Sequence, residues 1–96
     1  MTINDFTNAG GRIEAHFRMT ANCSITLSKD NDCNYDPRDI DEPIDLVDMA
    51  IDDDSYDSEL LLDEDSIVFD IYMNNTLLAQ SVDRHRANQI IKNYRD

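Results

Sequence analysis

Glycine is nearly missing from this chain: Gly10 and Gly11 are the only two in 96 residues. A loop that cradles phosphates with backbone N–H groups needs several glycines at fixed spacing, so that class of nucleotide site is excluded. Cysteine is equally scarce, at Cys23 and Cys33. Their spacing matches no zinc or redox motif, and two thiols cannot close a tetrahedral zinc site alone. No apolar run approaches the roughly 18–20 residues of a membrane-spanning helix. The opening residues, MTINDFTNAGG, carry neither the basic nor the apolar region of a secretory signal. The chain is therefore expected in a cytosol, with both cysteines as reduced thiols.

Positive charge is the most telling shortage. Eight bases face 21 acids, for a net charge of −13 and a pI near 4.1. Outside the C-terminal dozen residues there is no basic patch, so nucleic acid and anionic membranes are not expected as direct partners. The imbalance is also local. Between Asp30 and Asp70 stand seventeen acids and one base, Arg38, a charge of −16, while the rest of the chain carries +3. Self-repulsion of this size opposes compaction, which points to a function for the charge rather than a role in stability.

What remains is ordinary for a small globular unit: 41% hydrophobic and 30% charged residues, enough for a single domain over residues 1–96 with a thin core. Thr2-Ile3-Asn4-Asp5 resembles a capping box with Asp in place of Glu, so the first dozen residues read as a short helical turn or loop closed by Gly10-Gly11. From Arg12 the alternation is clean, with Ile13, Ala15, Phe17 and Met19 on one face and Glu14, His16, Arg18 and Thr20 on the other. Cys23, Ile25 and Leu27 repeat the pattern, and the short link at 20–22 suggests an antiparallel hairpin. Residues 29–39 are turn chemistry. Residues 41–54 (DEPIDLVDMAIDDD) read as a helix with Pro43 at its first position and an apolar stripe of Ile44, Leu46, Val47, Ala50 and Ile51. Leu60-Leu61-Leu62 fits a short strand or a helical turn. Ser66 to Met73 is the strongest strand, Asn74-Asn75 a two-residue turn, and Thr76 to Val82 the returning strand. Asp83 caps a C-terminal helix with Ala87, Ile90, Ile91 and Tyr94 on one face. The pattern predicts an α+β fold: an antiparallel sheet of about four strands with two helices, one acidic and central, one C-terminal.

The acids of the central helix have the most chemical content. Asp41, Asp45, Asp48 and Asp52 fall at i, i+4, i+7 and i+11, one helical face with a charge every ~4.5–6 Å. That pitch is close to the spacing of phosphates along a nucleic-acid strand. Glu42, Asp53, Asp54, Asp57, Glu59, Asp63, Glu64 and Asp65 extend the charge. A helix that needed only a wet face would alternate Glu with Lys, whereas acids four residues apart destabilise it by a few tenths of a kcal/mol per pair, roughly. These residues are the candidate partner-binding set. Reversing Asp45, Asp48 and Asp52 to Lys is expected to abolish binding.

Other chemistries find less support. Asp30, Asp32, Asn34, Asp36 and Asp41 match positions 1, 3, 5, 7 and 12 of a calcium loop, but Tyr35 replaces the obligatory glycine at position 6 and the flanks are not two helices. His16 and His85 lack a neighbouring nucleophile and read as structural or surface residues. Neither an enzyme, nor a cofactor, nor a metal site is expected. The C-terminal bases Arg84, His85, Arg86, Lys92 and Arg95 read as a solvated face or as an internal partner of the acidic stretch.

In size, charge, α+β build and the row of carboxylates from Asp41 to Asp65, the chain resembles the small acidic proteins of phages and mobile elements that imitate DNA, the anti-CRISPR and antirestriction proteins. The resemblance implies an inhibitor acting in a bacterial host, seated on the basic nucleic-acid-binding surface of a CRISPR–Cas effector and blocking target DNA. The alternatives are an antirestriction protein, an antitoxin or immunity protein covering a basic nuclease, and, on other chemistry, a calcium-responsive module. If the acids repel one another without internal partners, salt should raise the melting temperature by screening them. Thermal melts between low and moderate salt check this, and a flat or falling trend would mean the acids are paired within the fold.

Overall fold

The computed structural model describes residues 1–19, 21–29, 37–52 and 62–94. Thr2 is the N-cap of α1 (Ile3–Asn8), and its hydroxyl accepts the Asp5 N–H at 3.1 Å, the forward half of the expected capping box. Gly10, at φ +108°, turns the chain into β1 (Gly11–Arg18). A Cβ at Gly11 would collide with the Phe6 ring and stand 2.6 Å from the Phe6 carbonyl oxygen. The missing side chain is what lets α1 close over the start of the strand.

β1 alternates as its sequence predicts: Ile13, Ala15 and Phe17 are buried, while Arg12, Glu14 and His16 are half-buried on the other face. β2 (Asn22–Leu27) pairs antiparallel with it, Phe17 opposite Cys23 and Ile13 opposite Leu27. After a 3-10 turn at Pro37–Asp39 come α2 (Ile44–Asp52), β3 (Asp63–Met73), β4 (Thr76–Val82) and α3 (Arg84–Asn93). The sheet order is β2-β1-β3-β4, with every neighbouring pair antiparallel. This is the expected α+β class, with α1 as a further short helix.

Two boundaries differ from the sequence reading. The central helix begins at Ile44, so Asp41 and Glu42 belong to the turn that leads into it. Its first bonds, Asp45 N–H to the Glu42 carbonyl at 3.0 Å and Leu46 N–H to the Pro43 carbonyl at 3.1 Å, span three residues and wind this turn tighter than an α-helix. β3 begins at Asp63, ahead of the expected Ser66, because Asp63 pairs with Arg18 beyond an irregularity whose extra residues lie in β3. The Ser66 hydroxyl accepts the Arg18 N–H at 2.8 Å and donates to the Asp63 carbonyl at 2.6 Å. These are tertiary contacts, and they override the poor strand propensity of Asp and Glu. The loop at 30–36 with its calcium-like spacing, the acids from Asp53 to Glu59, and Leu60 and Leu61 lie outside the described residues. Leu62 has no regular structure and packs half-buried against the core.

The remaining signals are met. Asn74 and Asn75 both take positive φ, 50° and 69°, as a hairpin of matching twist requires. The Asp83 carboxylate accepts the Arg86 N–H at 2.8 Å as the N-cap of α3. All three α-helices cover one face of the sheet: Phe6, Leu46, Val47, Ala87 and Ile91 join Ile13, Ala15, Phe69 and Ile71 in one core. Phe6 meets the Tyr94 ring edge-on at 5.5 Å. The Met1 amino group donates to the Lys92 carbonyl at 2.8 Å, so α1 and α3 are held together at their outer ends. Among the described residues, no helix is long and apolar enough to cross a membrane.

Replacing Gly11 by Ala should destabilise the fold by about 1–3 kcal/mol through overpacking against Phe6. Urea denaturation checks this as a lower midpoint at unchanged slope.

Candidate functional site

The acids singled out from the sequence fall into separate environments. Asp45 does not project from the helix as a free charge. Its Oδ2 reaches back to accept the N–H groups of Asp41 and Glu42, each at 3.1 Å, satisfying donors that precede α2. Asp63 likewise holds the Asp65 N–H at 3.1 Å. Asp41 and Glu42 open onto a cleft of about 540 Å³ that they share with Arg38, Lys92 and the N-terminal residues. There acids stand among bases, and the local field is mixed. Asp52 ends α2, while Asp53, Asp54, Asp57 and Glu59 lie outside the described residues.

A second groove, of about 450 Å³, gathers the rest. Asp48 of α2 reaches it from one side, Glu64 and Asp65 of β3 from another, and Asp83 and Arg84 from the start of α3, with Ile44, Leu62 and Ile67 as its apolar wall. Among the described residues its lining thus holds four acids and one base. Asp48, Glu64 and Asp83, each sixteen or more positions from the next, meet here, helped by the early start of β3 at Asp63. An acidic rim beside an apolar wall suits a Lys or Arg side chain, whose methylene stem lies on hydrocarbon while the charged head meets carboxylates. Sequence periodicity missed Asp83 and Arg84. The one available signal was the helix-cap pattern, which places Asp83 at an exposed helix start and says nothing of its neighbours.

The face of the sheet turned away from the three helices carries a different cluster. Glu14 and Asp70 are directly opposite on β1 and β3, and His16 follows on the same face of β1. His16 Nε2 lies 3.1 Å from Asp70 Oδ2 and 3.8 Å from Glu14 Oε1. Arg12 pairs with Glu14 Oε2 at 3.0 Å and stacks over the Tyr72 ring at 4.2 Å, a cation–π contact. The Ser81 N–H donates to Asp70 Oδ1 at 2.7 Å. His16 lies on the polar face of β1, as its alternation predicts, but its partners come from strand register, which local spacing does not encode. His85, in contrast, is exposed on α3 as expected. Cys23 is a half-buried free thiol, and its Sγ lies 3.5 Å from the Ala21 carbonyl oxygen.

Because Asp45 ties down the lead-in turn, Asp45→Ala should cost about 0.5–2 kcal/mol of stability, and Asp45→Asn, which keeps an acceptor, much less. Thermal or urea unfolding of the two variants side by side checks the difference. Compared with protein-family models, with curated proteins and with solved structures, the chain matches none, so its function is argued from its own grooves and charges.

Proposed function

We propose that this protein is an acidic inhibitor that imitates DNA, docking on the basic nucleic-acid-binding surface of a CRISPR–Cas effector in a bacterial cytoplasm and blocking target DNA. The carrying observation is the groove where Asp48, Glu64, Asp65 and Asp83 converge beside Ile44, Leu62 and Ile67. It lies within a chain of net charge −13. A channel shaped for phosphates presents Lys and Arg at close intervals, and these heads meet the carboxylates as they would meet a DNA strand. Association gains from the counterions the basic channel releases, and long-range attraction speeds encounter. The apolar wall adds a grip on the stems of those side chains that DNA does not offer. That same wall favours a protein partner generally, so the second reading is an antitoxin or immunity protein covering a basic nuclease, or an antirestriction protein.

The test is capture of the partner by the tagged chain from a lysate containing CRISPR effectors, with duplex DNA as competitor. An effector displaced by DNA supports the proposal, a small nuclease promotes the second reading, and an effector that DNA leaves bound overturns mimicry. The diagnostic variant combines Asp48→Lys, Glu64→Lys and Asp65→Lys, all exposed positions, and spares Asp45 because of its structural bonds. It should weaken binding by about 3 kcal/mol or more, on the order of a hundredfold, with an unchanged circular dichroism spectrum. Undiminished inhibition by this variant would sink the groove as the docking site.

A further inference from the structure

On the face of the sheet turned away from the helices, remote from the acidic groove, we infer that Glu14, His16 and Asp70 form a binding site for a first-row divalent metal ion of the zinc class. One imidazole nitrogen and two carboxylate oxygens lie within 4.8 Å of one another. Ligands bonded to zinc at 2.0–2.2 Å in a tetrahedral arrangement stand about 3.4 Å apart. The separations of 3.1 Å from His16 Nε2 to Asp70 Oδ2 and 3.8 Å to Glu14 Oε1 bracket that value.

The surroundings are those of a prepared site. Each carboxylate has one oxygen engaged from outside, Glu14 Oε2 by Arg12 and Asp70 Oδ1 by the Ser81 N–H, and turns its other oxygen towards His16. Outer partners of this kind fix the orientation of metal ligands. The Ser81 bond is held at a cost, since Ser81 sits at φ +53°, a region that residues other than glycine seldom adopt. His16 Nε2 is sealed from solvent and makes no aligned hydrogen bond, although the side chain as a whole is 39% exposed. The nitrogen lies closer to the Asp70 carboxylate than to that of Glu14. Glu14 and Asp70 are also directly opposed across the strands, and like charges so placed destabilise a sheet unless a cation lies between them. A mixed nitrogen and oxygen set selects against calcium, which takes six to eight oxygens, and suits zinc or its neighbours. Three protein ligands leave a fourth position for water or a donor from a partner. This departs from the expectation that the chain holds no metal.

The experiment is a calorimetric titration of the full chain with zinc chloride in a Cys23→Ser, Cys33→Ser background, which removes competing thiols. One ion per chain is expected. His16→Gln and Asp70→Asn should each lower affinity about tenfold or more, the latter keeping an acceptor for Ser81, while His85→Gln leaves it unchanged. Cobalt in place of zinc should give a visible absorption band that His16→Gln abolishes. Circular dichroism of each metal-free variant separates ligand loss from unfolding. Absence of zinc binding, several weak equivalents indifferent to His16→Gln, or loss in His85→Gln would overturn the assignment.

Discussion

The register between β1 and β3 governs both faces of this protein at once. Ala15 stands opposite Phe69 and Ile13 opposite Ile71, and these residues receive all three helices. Because side chains alternate along a strand, the same register places Glu14 against Asp70 and Arg12 against Tyr72 on the reverse face. A slip by one residue would expose the core and bury the charges, so the hydrophobic demand for one register also assembles the polar cluster. The cluster therefore costs the fold little to specify: the core has already aligned the strands that carry it.

Charge acts on this frame in two ways. Some carboxylates are absorbed by the backbone, as Asp45 is ahead of α2 and Asp83 is at the start of α3. They stabilise chain ends that would otherwise leave N–H groups without partners. Others, such as Glu64 and Asp65, stand exposed at the head of β3, where neighbouring negative charge works against folding. The molecule thus holds acids that build its local geometry and acids that present a field to something else, with Asp83 belonging to both. Counting charges along the chain does not make that distinction.

What was legible in the sequence follows the range of the forces involved. The alternation in β1, the Asn74-Asn75 turn and the Asp83 cap are local, each decided by a few adjacent residues, and each appears in the fold. The early start of β3 was hidden because Asp63, Glu64 and Asp65 resist strand formation on their own, and only Arg18 and Ser66 recruit them. The regular face expected for Asp41, Asp45, Asp48 and Asp52 assumed a helix already running at Asp41; the tight turn around Pro43 delays it. Asp48 does reach an acidic groove, but its companions there come from β3 and α3. The grouping of His16 with Asp70 depends on strand order, which pattern alone leaves open.

The outer edge of β4 carries two exposed leucines, Leu77 and Leu78, in a strand of seven residues. An even edge of this kind is a template on which another chain can add a strand. Here the pairing of β4 with β3 shifts register both before and after Ile71, and Ser81 turns its N–H inward to Asp70. An incoming strand would find no steady rhythm of donors and acceptors to copy. The bulges that aim Ser81 at the polar cluster also break the lattice on which a fibre could grow, so a sticky border stays a border.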